Sequence, residues 1–452
     1  FPGDAGKRTY IDEINPGGDQ ECTGIVTRFT LSSEKTDKDF PVYVRLLSEI
    51  DLVCIFVNSY FSEGDQKQEE HQSTQYISDF IAQISPSGNP THLAEEDFWE
   101  LEEYLREHFL IFEYANTISP FVESIGQKAL NSNIQQRAKL YSVLWGFHEE
   151  FTELFIKVLG ALEDLKHSED AHTKLNSLIP KARSIIDVSL LSEINSQESD
   201  QIEVKGHDGE VVTIGRGLLS AITSELILKM SGVPHEFFNH TDVLDFPGTR
   251  NRKPDNLKKV FAGFERDNSN IHEFYLRGKV AYLFDKYVNS QDINSMLLCI
   301  KDSAMEAVGL PQMIEKWVSN SIGNTPSDRA KKDNNLFFIM TYFDKHLSDT
   351  ASNRHETDRF KRRIFSSLIE RFGNHQNTWP QNWNGTQDLS KPFKNCFWLR
   401  NPGVAQSFFK IEPNSGVETF IANQEEQDRL NEIKAMFLAT DEVKQHFIDP
   451  EE

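Results

Sequence analysis

The sequence predicts an α/β protein, with a mostly parallel sheet carrying helices on both faces and interrupted by a large all-α insertion. Three observations predict it. From Thr241 onward, short apolar runs alternate with amphipathic stretches, the pattern of strand–helix units that build parallel sheets. Between residues 90 and 200 the apolar positions instead recur every three or four residues, as they do on helices packed against helices. Finally, Val243-Leu244-Asp245-Phe246-Pro247-Gly248 is an apolar run closing on Asp-x-x-Gly, which sets a carboxylate and a glycine at a strand end.

Taken in order, Ile25 to Leu31 and Pro41 to Leu47 read as strands, and Asp51 to Phe61 as a short buried helix. Ser85-Pro86-Ser87-Gly88-Asn89-Pro90-Thr91 is a turn-rich boundary. Thr91 can cap a helix through Phe98, Leu101, Leu105 and Phe109, with Glu95, Glu96 and Asp97 favourably placed in its first turn. Leu140, Leu144, Phe147, Phe151, Leu154, Val158, Leu162 and Leu165 predict one longer helix. After a polar stretch at Ser192–Gln201, Ile202 to Ile214 reads as a hairpin turning at Asp208-Gly209, and Leu218 to Met230 as a helix. Then follow a strand ending at Asp245, a helix over Ile271–Val288, a strand at Ser295–Ile300 and a helix at Pro311–Ile322. A buried strand at Leu336–Thr341, a basic-faced helix at Asp358–Phe372 and a strand at Asn395–Leu399 complete the pattern. The expected organisation is a first part of the sheet domain at 1–84 and a helical insertion at 85–200. A hairpin and helix at 201–240 return to the sheet, whose second part covers 241–425. A C-terminal helix at 426–452 opens a further region.

Composition narrows the function. A chain of 452 residues suggests two or more domains, and 33 Phe with 6 Trp supply a sizeable core. The formal charge of −23, from 47 basic and 70 acidic residues, argues against a nucleic-acid backbone or an anionic bilayer as main partner. Cys22, Cys54, Cys299 and Cys396 lie far apart, as reduced structural thiols of a cytosolic protein do. No apolar run reaches the roughly 18 residues of a membrane span, and Phe1-Pro2-Gly3-Asp4 is not a signal peptide. Both ends read as cuts in a longer chain.

Three short motifs carry the chemistry. A nucleoside triphosphate needs Mg²⁺ held by water, phosphate and one or two protein oxygens. Asp245 at a strand end can hold one of those waters, and Gly248 can bring its N–H close to a terminal phosphate where a Cβ would obstruct. A threonine that reaches the metal and the attacking water is Thr27, or alternatively Thr23. Further along, Thr341 and Asp344 close an apolar strand, where a carboxylate can accept two hydrogen bonds from a guanine edge.

These stretches resemble a known family. Thr23-Gly24-Ile25-Val26-Thr27-Arg28 resembles the first switch of dynamin-superfamily GTPases, and Asp245-Phe246-Pro247-Gly248 their Asp-Leu-Pro-Gly. With Glu13-Ile14-Asn15-Pro16-Gly17-Gly18, Leu244 to Arg250 and Thr341-Tyr342-Phe343-Asp344, nearly the whole chain is similar to the SrfC-like family of bacterial virulence factors. The resemblance implies a P-loop-GTPase-like fold that binds GTP with Mg²⁺ and hydrolyses it in line. Thr27 and Asp245 would serve the metal, Thr27 and Gly248 catalysis, and Thr341 and Asp344 guanine binding.

Two departures qualify it. Gly3-Asp4-Ala5-Gly6-Lys7-Arg8 lacks the glycine and hydroxyl of a phosphate loop, since Phe1 and Arg8 stand there, so Lys7 reads as an ordinary surface lysine. The cradle is then expected upstream, and this chain alone should bind nucleotide weakly or not at all. Tyr342 replaces the base-stacking lysine, through which it could stack on a purine by its ring face. The alternative function is a pseudo-GTPase or helical scaffold acting through protein partners. A zinc site at His235 and His240 has the wrong spacing, and Arg359, Lys361, Arg362, Arg363 and Arg371 read as a solvated basic face. The expected setting is the bacterial cytoplasm, with secretion as an effector left open, as is the oligomeric state.

Overall fold

The computed structural model describes residues 10–15, 23–32, 37–195, 200–230, 232, 235–248, 254, 256–262, 269–301, 309–342, 359–373, 379–386, 389–399, 409–411 and 418–420. It also describes isolated positions from 424 to 439 and the stretch 441–447. The chain divides into two units, Phe1–Phe284 and Asp285–Glu452.

The sheet of the first unit overturns the expected parallel architecture. Its strands are β1 (Val26–Thr30), β2 (Val42–Leu46), β3 (Asp170–Thr173), β4 (Gln201–Gly206), β5 (Val211–Gly215), β6 (Thr223–Lys229) and β7 (Val243–Asp245). They lie in the order β5-β4-β3-β2-β6-β1-β7. Only β1 and β6 pair in parallel; every other neighbour pair in this sheet is antiparallel. The sheet is therefore mostly antiparallel and is not a P-loop-type parallel sheet. The physical reason lies in two strands that the apolar pattern hides. β3 is a short polar stretch, Asp-Ala-His-Thr, that pairs on both sides. β6 is the central strand, buried over its first five residues, in a segment whose leucine spacing reads as helix. The helix there ends early because the Thr223 hydroxyl donates to the Leu219 carbonyl at 2.7 Å and closes the last turn.

Between β2 and β3 the chain is mainly helical. Following α1 (Tyr10–Glu13) come α2 (Glu49–Glu63), α3 (Thr74–Gln83), α4 (Glu95–Phe109), α5 (Glu113–Ile118), α6 (Val122–Ala129), α7 (Ile134–Ser142) and α8 (Glu149–Asp164). After the hairpin come α9 (Arg216–Ile222), α10 (Leu257–Ala262) and α11 (Ser269–Asn289). α2 is the central helix, buried along almost its whole length and packed on α4 and α8. Its start is a capping box: Ser48 accepts from the Asp51 N–H, and the Asp51 carboxylate accepts from the Ser48 N–H. Phe56 sits amid Trp145, Phe151, Phe155 and Tyr275, at ring distances of 5.3 to 6.0 Å.

Two helix expectations also change. The stripe from Leu140 to Leu165 is two helices, because Gly146 and Phe147 adopt left-handed φ of 65° and 63°. A Cβ on Gly146 would meet the Tyr60 hydroxyl at 2.6 Å, so only glycine permits this approach. α4 starts at Glu95 rather than under a Thr91 cap, with Asp97 reaching back to the Ala94 N–H at 2.7 Å.

In the second unit, parallel pairing among the described residues is confined to a three-stranded sheet, β12-β9-β8, built from β8 (Met296–Ile300), β9 (Leu336–Met340) and β12 (Cys396–Trp398). Two hairpins accompany it, β10 (Asn384–Thr386) with β11 (Leu389–Lys391) and β13 (Phe409–Ile411) with β14 (Glu418–Phe420). Its core gathers Trp379, Trp383 and Phe393 within 5.7 Å of one another. The expected solvated basic face is half internal. Arg359 and Arg363 are buried, and Arg363 donates to the Ile300 carbonyl at 2.8 Å, while Lys361 pairs with Glu442.

Candidate functional site

The edge of the first sheet brings together two of the residues singled out from the sequence. β1 and β7 run antiparallel with Thr27 opposite Asp245 and Phe29 opposite Val243. Directly opposed residues share a face of the sheet, with Cβ atoms about 4.5–5.5 Å apart. Alternation puts Phe29 on that same face, and the Tyr10 ring from α1 meets it edge-on at 4.9 Å. The Tyr10 phenol faces the Thr27 hydroxyl; both oxygens are buried, and neither completes a well-formed hydrogen bond among the described residues. Burial raises the Tyr10 phenol above its ordinary value and the Asp245 charge adds to the rise, while Thr27 opposes it. Asp245 is an exposed edge residue, yet crowding by the surrounding chain also holds its carboxyl above the usual range. Pro247 is buried and Gly248 half-buried just beyond the strand.

The other face of β1 is held by charge. Arg28 binds Glu225 of β6 through two hydrogen bonds, Nε to Oε1 at 2.7 Å and a terminal nitrogen to Oε2 at 3.1 Å, and reaches Asp242 at 3.2 Å. Glu225 is fully buried, and Arg45 of β2 lies 3.9 Å from it on the opposite side. A two-point arginine–carboxylate contact is directional, so it fixes β1 against β6 and thereby the position of Thr27. Reading β6 as a helix hid Glu225. The usable signal was the β-branched Thr223 and the Leu226-Ile227-Leu228 run.

Elsewhere, Thr23 makes an isolated bridge to Asp187 and lies before β1 rather than opposite Asp245. In the second unit Thr341 follows β9, where its N–H and hydroxyl both donate to the Ile300 carbonyl, at 3.0 and 3.3 Å. Tyr342 takes a left-handed φ of 61° and is half exposed. Asp344, Lys7 and Arg8 lie outside the described residues.

Thr27 and Asp245 offer oxygen donors only, one a buried hydroxyl that faces Tyr10 and completes no well-formed hydrogen bond among the described residues, the other a carboxylate open to solvent. That donor set fits Mg²⁺, which takes one or two protein oxygens and keeps several waters. No helix of the described residues is long and apolar enough to cross a membrane.

The family model described as "Putative bacterial virulence factor" matches residues 3–452. That description concerns virulence and does not extend to GTP hydrolysis, to the SrfC name or to a dynamin-type motif. No curated protein matches the chain. With all but the first two residues matched, the chain belongs to the family of putative bacterial virulence factors.

Proposed function

We propose that this virulence-family protein, in its full-length form, binds a magnesium–guanine nucleotide at the β1–β7 edge and hydrolyses it. The observation that carries the reading is the in-register pair Thr27–Asp245, with a buried threonine hydroxyl left without a hydrogen-bond partner among the described residues. The proposal rests on this strand pair and not on a parallel nucleotide-binding sheet. Mg²⁺, when bound, neutralises phosphate charge. Asp245 would hold Mg²⁺ through a water, and Thr27 would offer it a hydroxyl oxygen. Gly248 offers a backbone N–H unobstructed by a Cβ. Arg28 and Glu225 keep β1 in register under load.

The test is titration of the full-length protein with a fluorescent GTP analogue, with and without Mg²⁺. Binding is expected to need Mg²⁺, to be competed by GTP better than by ATP, and to weaken by about tenfold in Asp245→Asn, the cost of one charge-assisted contact. Absence of binding to folded protein, or binding indifferent to Mg²⁺ and to Asp245→Asn, overturns the proposal. A second reading, a scaffold working through protein contacts, is favoured by Trp99 and Ile111, which are 61% and 86% exposed at α4 and just beyond it. A folded protein that ignores nucleotide supports it.

A further inference from the structure

A second polar centre lies among the helices of the first unit. Glu49, the first residue of α2, is fully buried. Its Oε1 accepts from Arg137 Nε at 2.8 Å and from the Tyr141 hydroxyl at 3.0 Å. Its Oε2 has no hydrogen-bond partner among the described residues. A bare, buried carboxylate oxygen is costly unless something cationic faces it.

Two imidazoles face it. His92 Nε2, from the segment ahead of α4, lies 3.6 Å from Glu49 Oε2. The His92 and His167 rings stack with centroids 3.3 Å apart and planes 19° from parallel. His167 Nδ1 is also buried without a partner among the described residues. One ligand-type atom from each of Glu49, His92 and His167 lies within 4.8 Å of the others. An imidazole binds a metal through the lone pair of an unprotonated ring nitrogen.

The surroundings are arranged to hold this trio. Arg137 is itself tied to the Ser132 carbonyl at 2.8 Å and to Glu163 at 2.6 Å. It fixes Glu49 Oε1 as an outer partner, which leaves Oε2 aimed at the histidines. Glu163 offsets the guanidinium charge, so Glu49 remains available to a cation. Lys166 and His167 both take left-handed φ of 53°, which a residue with a side chain adopts at a cost. That turn, closed by His167 N–H to the Leu162 carbonyl at 2.8 Å, brings His167 from the end of α8 to the start of α2.

The geometry points to a divalent transition-metal site formed by Glu49, His92 and His167. Two imidazoles and one carboxylate are the donor chemistry that Zn²⁺ accepts and that Mg²⁺ and Ca²⁺ do not favour. The three ligands come from three separate segments, so the ion staples α2, the lead into α4 and the end of α8. His92, a third exposed, gives the ion its entry route.

The test begins with protein stripped by a chelator, titrated with Zn²⁺ by calorimetry and with Co²⁺ by visible absorption. A single equivalent is expected, with a Co²⁺ ligand-field band, and His92→Ala and His167→Ala each weaken binding at least about tenfold at unchanged far-ultraviolet circular dichroism. Where an alanine variant fails to fold, His92→Phe preserves the ring stack and gives the same reading. No metal uptake by the stripped protein, or a stoichiometric site that survives both histidine replacements, overturns the assignment.

Discussion

The two polar centres of the first unit bury oxygen atoms in opposite ways. At Glu49 the carboxylate and the Arg137 guanidinium are internal: Arg137, Tyr141, Ser132 and, at the solvent margin, Glu163 form a network from which one Glu49 carboxylate oxygen is left over. At the β1–β7 edge the buried atoms are neutral hydroxyls of Tyr10 and Thr27, and the charge, Asp245, meets solvent. A charge inside a helix layer can be retained only by pairing, whereas an edge strand can present one to water at little cost. The first arrangement stabilises the fold through its network; the second is free to exchange partners.

The largest expected effect tests the first half of that contrast. Arg137→Ala leaves Glu49 buried without its guanidinium and should cost about 3–5 kcal/mol in urea unfolding. A double replacement, Glu49→Gln with Arg137→Met, should cost clearly less, because no uncompensated charge remains. A cost for Arg137→Ala below about 1 kcal/mol, the range of exposed pairs, would make the two centres energetically alike.

Much of the edge was legible in the sequence, and almost none of the interior centre. β1, β2, β7, β8, β9 and β12 fall within the predicted strands, and the hairpin turns at Asp208-Gly209, where Gly209 takes a φ of 86°. Those signals are local, a period of two or a turn dipeptide. The parallel sheet was misjudged because strand order is set by long-range pairing, and because β3 is polar while β6 carries helix-like leucine spacing. The break at Gly146 depends on Tyr60, a residue far off in the chain. Glu49, His92 and His167 converge only once α2, the lead into α4 and the end of α8 pack together, so no spacing rule reveals them.

An intermediate effect concerns Thr27. Thr27→Val keeps the shape and removes a hydroxyl that has no hydrogen-bond partner among the described residues. Stability should stay within about 1 kcal/mol of the parent, or rise, since no native hydrogen bond is lost. Magnesium-dependent nucleotide binding should fall in the same variant. A loss of several kcal/mol on thermal or chemical unfolding would show that the hydroxyl is engaged in the fold, and the edge would then be as closed as the interior network.

The smallest effect separates a positioning charge from a solvated one on β1 itself. Arg28 holds Glu225 at two points inside the sheet and Asp242 at its margin, and Asp242 is about one-third exposed. Asp242→Asn should cost only about 0.2–1 kcal/mol, and raising the salt concentration should erase most of the difference. Glu225→Gln should cost more and keep its cost in salt, because Glu225 is fully buried and Arg28 is only 17% exposed. If the two variants respond to salt alike, the Arg28–Glu225 contact is screened by water. The register that sets Thr27 opposite Asp245 must then come from the backbone ladder alone.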